Sequence, residues 1–184
     1  MINLKDIIMN RYTKISVLLA LFTTVIGYSD LKSQQKEQQY ANDVTSVENI
    51  VTAVLASISG EKGVERDWTR FRNLFLPTAQ LNAVSYKNNS TSVKVYTVNE
   101  FIEAAGTWYE DNGFKEYAYK NQIDTFGNIA NVFQSYGIKL ADGIEVRRGI
   151  NSFQLVYMQN RWWITNLIWD NETEKNKIPK QYLE

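Results

Sequence analysis

The chain contains no histidine and no cysteine. The commonest general base near neutral pH is therefore missing, and so are the two side chains that dominate zinc sites. Proton-transfer chemistry would need an Asp or Glu base, plus a tyrosine or a protonated acid to hold a developing oxyanion. Both would sit in an apolar pocket that raises the pKa of the acid. Eleven tyrosines supply the second partner, with Tyr119 and Tyr136 the best placed. The carboxylate is harder to find. Asp124 falls on the outward face of its strand in the favoured register, and Glu100 is committed to a helix cap. Asp67 and Arg70 belong either to a pocket mouth or, more simply, to a solvated helix face. No catalytic residue is assigned on this basis, and neither a metal nor a cofactor is expected.

The elements that must position such a site follow from hydrophobic periodicity. Val44, Val47, Ile50, Val51, Val54, Leu55 and Ile58 recur at helical spacing, with Thr45 and Glu48 fitting a capping box and Gly60 ending the helix. A shorter helix is expected from about Glu65 to Phe75, stopped by Pro77. Two short strands, Ala79 to Tyr86 and Ser92 to Tyr96, precede a third helix. That helix opens on a Thr97/Glu100 capping box with Tyr96 and Phe101 as a hydrophobic staple, and Gly113 closes it. Beyond Gly113 the period switches to two. Phe114 to Phe126 and Ile129 to Lys139 flank Gly127-Asn128, and Ile150 to Met158 and Arg161 to Asp170 flank Gln159-Asn160. Helices followed by a run of antiparallel strands make an α+β fold. The tail from Asn171 is charged and expected to fray.

If Gln159-Asn160 is a two-residue turn, it sets the register of the last hairpin. Tyr157 then pairs with Trp162, Leu155 with Ile164, Phe153 with Asn166 and Asn151 with Ile168. That face is the more apolar and is placed inward. Asn151 and Asn166 interrupt it, either as ligand contacts or as amides satisfied by neighbouring backbone. A ligand-binding wall is therefore expected from Trp108, Tyr119, Tyr136, Asn151, Phe153 and Asn166. The opposite face carries Gln154, Trp163, Thr165, Leu167 and Trp169, a mixture that suits a dimer interface. The alternative cover is the chain's own tail or N-terminal tether. In the first hairpin, the Gly127-Asn128 turn places Tyr117, Tyr119, Ile123, Ala130, Val132, Tyr136 and Ile138 inward, whereas a Phe126-Gly127 turn would pair the strands differently.

Arg11 and Lys14 precede an apolar run from Ile15 to Ile26, followed by the small residues Gly27 and Ser29. This pattern fits a secretory signal peptide over residues 1–29, with an uncleaved anchor as the alternative. An exported protein, periplasmic or secreted, is expected, without membrane attachment after cleavage. Residues 30–42 are a polar, Gln- and Lys-rich tether, residues 43–171 one domain and residues 172–184 the charged tail. The 20 basic and 20 acidic residues leave no basic stripe, which argues against nucleic acid as a partner.

The element order resembles the nuclear transport factor 2-like superfamily, in its SnoaL-like and DUF4440-like neighbourhood. The resemblance rests on Phe126-Gly127-Asn128-Ile129-Ala130-Asn131-Val132-Phe133, on Arg148-Gly149-Ile150-Asn151-Ser152-Phe153-Gln154-Leu155 and on Arg161-Trp162-Trp163-Ile164. It implies a cone in which a strongly curved, mostly antiparallel sheet wraps three N-terminal helices around a pocket, with homodimers through the outer sheet face. Members include isomerases, dehydratases and proteins without a known reaction, so the fold does not carry the activity. The dehydratase pattern needs a His pair, which this chain lacks. The expected function is an exported domain that binds a small apolar molecule or serves as a scaffold. The alternative is a lyase or isomerase using one carboxylate with Tyr119 or Tyr136.

Overall fold

A computed structural model describes residues 40–183. All of these except Tyr40 and Ala41 fall within one compact unit, Asn42–Glu184. The expected signal peptide, and the tether as far as residue 39, lie outside the described residues. The fold is α+β. Helices α1 (Val47–Ile58) and α2 (Trp68–Asn73) lead into strands β1 (Phe75–Lys87) and β2 (Ser90–Thr97). Helix α3 (Val98–Asn112) follows, and then β3 (Phe114–Phe126), β4 (Ile129–Leu140), β5 (Glu145–Met158) and β6 (Arg161–Asn171). The six strands form one sheet in the order β2-β1-β6-β5-β4-β3. Every pairing is antiparallel except β1 with β6, which is parallel.

The helix caps follow local chemistry. Helix α3 carries the full Thr97/Glu100 capping box, and the Tyr96 and Phe101 rings of the staple meet edge-on at 6.2 Å. In α1 the cap is Ser46, which accepts from the Asn49 N–H, and not the expected Thr45/Glu48 box. Helix α2 is shorter than expected. Asp67 caps it, and the chain is already extended at Phe75 because the residue before Pro77 is held out of the helical region. Gly113 has φ 63°, and a side chain there would approach the Lys62 backbone nitrogen at 2.9 Å. Only glycine lets α3 turn directly into β3 at this point.

Arg66 ties the helices together. It is buried, and its guanidinium donates to the carbonyl oxygens of Ile58 (3.0 Å), Gly60 (3.0 Å), Glu61 (3.2 Å), Val64 and Tyr109 (2.6 Å). Five carbonyls thus converge on one cation, two of them, Gly60 and Glu61, also accepting a backbone N–H, and the C-terminal half of α3 is fixed against the loop after α1. The core between helices and sheet is aromatic at its centre. Phe71 lies 4.8 Å from Phe75 and 5.5 Å from Phe101, and Phe101 lies 5.9 Å from Trp169.

Four register shifts interrupt the sheet, and two of them, bulges in β6 and β3, decide which residues of those strands face the cavity. The Gln159-Asn160 turn has positive φ at both residues, as a type I′ hairpin requires, and Tyr157↔Trp162 and Leu155↔Ile164 pair as expected. Thr165 is then an extra residue, its hydroxyl donating to the Gln154 carbonyl at 3.0 Å. Beyond it Gln154 pairs with Asn166, Phe153 with Leu167 and Asn151 with Trp169. The expected pairs Phe153–Asn166 and Asn151–Ile168 are therefore corrected. A one-residue bulge exchanges the two faces, so Leu167 and Trp169 point inward, and Asn166 and Ile168 outward. In β3, Tyr119 is the extra residue, between Ala118↔Tyr136 and Lys120↔Ser135. Ile123 keeps its inward place, but before the bulge the residues that face the cavity are Phe114 and Glu116. Tyr117 and Tyr119, expected inside, lie outside, where both hydroxyls donate to Glu145 Oε2.

The tail is packed and not frayed. Glu172 accepts from Arg148 at 2.8 Å and from the Ile178 N–H at 3.2 Å. Ile178 is buried, the Tyr182 ring lies 5.1 Å from Phe133, and the Ser135 hydroxyl donates to the Tyr182 carbonyl. Part of the outer face of β4 is thus covered by the chain's own end.

Candidate functional site

Between helices and sheet lies a cavity of about 420 Å³, within the range of small-molecule sites. Val54, Ile58, Phe71, Leu81 and Phe101 form one apolar wall, with Leu167 and Trp169 of β6 beside them. Tyr109 and Phe114 stack at 3.9 Å along another. Tyr136, Ile138, Asn151 and Asn171 come from the inner face of the sheet, and Glu116 supplies the one carboxylate among these lining residues. Trp108, Val146 and Arg147, all exposed, stand at the rim.

Glu116 is the polar centre of this wall. Asn151 Nδ2 donates to its Oε1 at 2.8 Å and to Gln134 Oε1 at 3.2 Å, and Gln134 Nε2 donates onward to Asn121 Oδ1 at 2.8 Å. Gln134 and Asn151 are buried, so this chain of amides fixes which way Asn151 points. Burial pushes the Glu116 carboxyl up from 4.5 to about 7, against the opposing pull of the Asn151 hydrogen bond. Burial also drives the phenols of Tyr109 and Tyr136 far above their ordinary value, with the nearby Glu116 adding to the shift. The Tyr136 hydroxyl donates to Asn171 Oδ1 at 2.9 Å. The Tyr109 hydroxyl makes no hydrogen bond among the described residues.

Gly149 makes room for this arrangement. It pairs with Tyr136 on one side and Asn171 on the other, and a side chain there would press on the Tyr136 hydroxyl and the Asp170 carbonyl.

Of the residues expected at a ligand wall, Trp108, Tyr136 and Asn151 line the cavity, and Phe153 is fully buried in the core. Tyr119 and Asn166 do not line it. Tyr119 is turned out by its own bulge, and Asn166 accepts from Asn82 Nδ2 at 2.9 Å on the outer side. Of the residues placed at a dimer face, Gln154, Trp163 and Thr165 are on the outer side, with the Arg161 guanidinium 3.7 Å from the centroid of the Trp163 ring. Leu167 and Trp169 belong to the cavity instead, because the Thr165 bulge inverts them. Asp67 and Arg70 have structural jobs. Asp67 caps α2, and Arg70 pairs with Asp43 through both carboxylate oxygens at 2.7 and 2.8 Å. Glu116 was missed because strict alternation from the hairpin turn puts it outside. The amide-rich inner face, with Asn121, Gln134 and Asn151 in register, was the signal that a polar group lies among them.

The architecture is that of the nuclear transport factor 2-like fold. An NTF2-like superfamily protein from Salmonella enterica serovar Typhimurium superposes with TM-score 0.51 at 14% identity, over 77% of this chain and 94% of that one. A protein of unknown function with a cystatin-like fold from Nostoc punctiforme gives TM-score 0.54 at 8% identity, over 70% and 90% of the two chains. A protein of unknown function from Mycobacterium tuberculosis gives 0.52 at 12% identity, over 68% and 74%. No family model and no curated protein matches the sequence. At these identities the likeness is one of fold.

Proposed function

We propose that this protein binds a small, mainly apolar molecule in the inner cavity, with Glu116 as its polar contact. The observation that carries the reading is the cavity itself, about 420 Å³ of chiefly aromatic and aliphatic wall around a single carboxyl. Few polar groups on a concave apolar surface are how a site holds a ligand by burial and orients it by one or two hydrogen bonds. Titration calorimetry with 2-(2-naphthyl)ethanol tests it. Wild-type protein is expected to bind this neutral probe, and Ile138→Trp, which fills the cavity, to lose it. Absence of binding to wild type, or unchanged binding to the filled variant, contradicts the reading.

A second reading is favoured by the pair Glu116 and Tyr109. A carboxyl near 7 is suited to accept a proton at neutral pH, and a cavity-lining phenol that makes no hydrogen bond among the described residues is suited to donate to a carbonyl oxygen. This supports proton abstraction next to a carbonyl, as an isomerase or lyase would use. The test is deuterium incorporation at the α-carbons of 2-tetralone in D₂O, followed by NMR. Acceleration by wild type that is lost in Glu116→Gln supports catalysis, and exchange at the buffer rate in both rejects it.

Export is part of the same proposal, supported by the apolar run at residues 15–26 after Arg11 and Lys14. Intact-mass measurement of protein from the native cell tests it, with an N-terminus at Asp30 expected. A homodimer through Gln154, Trp163 and Thr165 is likewise proposed, on the half-covered indole of Trp163 and its neighbours on the outer sheet face.

A further inference from the structure

The cavity has two charged poles. Glu116 lies inside, and Arg147 lines the rim from β5, paired with Ile138 of the inner face. Arg147 differs from its neighbour Arg148. The guanidinium of Arg148 is taken by Glu172 at 2.7 Å and faces Glu145 at 3.8 Å. Arg147 forms no ion pair or hydrogen bond among the described residues. Nor does it neutralise Glu116, whose titration is governed by burial and by Asn151. Tyr109 and Tyr136 sense both poles, because Glu116 disfavours ionisation of their phenols and Arg147 favours it. The cation at the entrance therefore has no internal task, and its field reaches into the cavity.

We propose that the ligand is an amphipathic organic carboxylate, with an aromatic or alicyclic body in the cavity and its carboxylate held by Arg147 at the rim. The inference rests on the ligand-binding reading of the cavity and adds polarity and direction to it. A carboxylate is disfavoured deep in the cavity, because the mainly apolar wall strips its water and the one ionisable group there is another acid. At the rim it stays in contact with water and meets the planar fork of a guanidinium, whose donors match both carboxylate oxygens. Trp108, exposed beside the entrance, offers the body an aromatic edge as it enters.

Calorimetry with a matched pair separates this idea from the reading beneath it. The probes are 2-naphthylacetate and neutral 2-(2-naphthyl)ethanol, at low ionic strength and about pH 6, where Glu116 is largely protonated. Wild type is expected to bind the acid about two- to fivefold tighter than the alcohol, the scale of an ion pair open to solvent. Arg147→Gln is expected to bring the ratio of the two affinities to about one, whatever the change in either alone. Equal affinities in wild type, or tighter binding of the alcohol, overturn the inference and leave the cavity reading standing. A preference for the acid that persists in Arg147→Gln also overturns it, since the selectivity then lies elsewhere. If neither probe binds wild type, the cavity reading fails and this inference with it. The wild-type comparison needs no variant, so misfolding of Arg147→Gln would not rescue the idea.

Discussion

Glu116 can be tested without knowing any ligand, because its burial makes the stability of the protein depend on pH in a particular direction. The folded-state carboxyl titrates at about 7 and the unfolded one at its ordinary 4.5. Below the lower value both states hold the proton, and the group makes no difference between them. Between the two values the unfolded state releases the proton and the folded state keeps it, so the unfolded state gains and stability falls as pH rises. Above about 7 both are ionised, and the full cost of the buried charge remains. The shift corresponds to about 3 kcal/mol, and water reaching the carboxyl through the rim lowers this toward about 2. Glu116→Gln removes the titration and keeps the shape, since its side-chain oxygen still accepts from Asn151. Urea unfolding of both proteins, followed by tryptophan fluorescence, gives the difference at each pH and cancels every other titrating group. The variant is expected to match wild type near pH 4 and to be more stable by about 2–3 kcal/mol near pH 8. A difference that stays constant across that range, or one that grows toward acid, would refute the placement of Glu116 in a dry wall.

Other perturbations test the frame around the site. Arg66→Met removes the shared donor of five carbonyls and is expected to cost roughly 3–5 kcal/mol in urea unfolding, whereas a loss under about 1 kcal/mol would mean that water replaces it freely. Gly149→Ala forces a methyl against the Tyr136 hydroxyl and should lower stability by about 1–3 kcal/mol, read as a fall of several degrees in Tm; an unchanged Tm contradicts the packing. Ile178→Asp should free the packed tail, giving rapid proteolysis after about residue 172 while the rest resists, and equal cleavage of wild type would show that the tail is not held. Trp163→Asp should weaken self-association in sedimentation with the fold intact, and an unchanged oligomeric state counts against the outer face as an interface.

Much of the architecture is legible in the sequence, and the errors in which strand residues face inward have one cause. The capping box at Thr97/Glu100, the two-residue turns and the inward set Ala130, Val132, Tyr136 and Ile138 all rest on local rules, and all are present. What fails is alternation carried across a bulge. A bulge leaves little trace in composition, because its extra residue, Thr165 or Tyr119, is as good a strand former as its neighbours. The parallel partnership of β1 with β6 was also out of reach, since it joins segments far apart in sequence without a hairpin turn to announce it. The tail misled for a different reason. Its charges read as solvation, but Glu172 is spent on Arg148 and on the backbone at Ile178.

The two bulges also explain why the inner wall is chemically what it is. Without the extra Thr165, β6 would present Asn166 and Ile168 inward, and Leu167 and Trp169 would face out. Without the extra Tyr119, β3 would turn Tyr117 inward and leave Glu116 in water, where a carboxyl has no reason to depart from its ordinary pKa. The bulges therefore bring a large apolar ring and an acid to the same wall. Asn151 completes the arrangement: it pairs across the strand with Trp169 and donates to Glu116. A sheet of perfect register built from these residues would have an inner wall with neither Glu116 nor Trp169. The tyrosines turned outward by the same shift are not wasted, since they anchor Glu145 on the opposite face. Register irregularity is thus the step at which this chain changes from a packed α+β domain into one with an acid-bearing cavity.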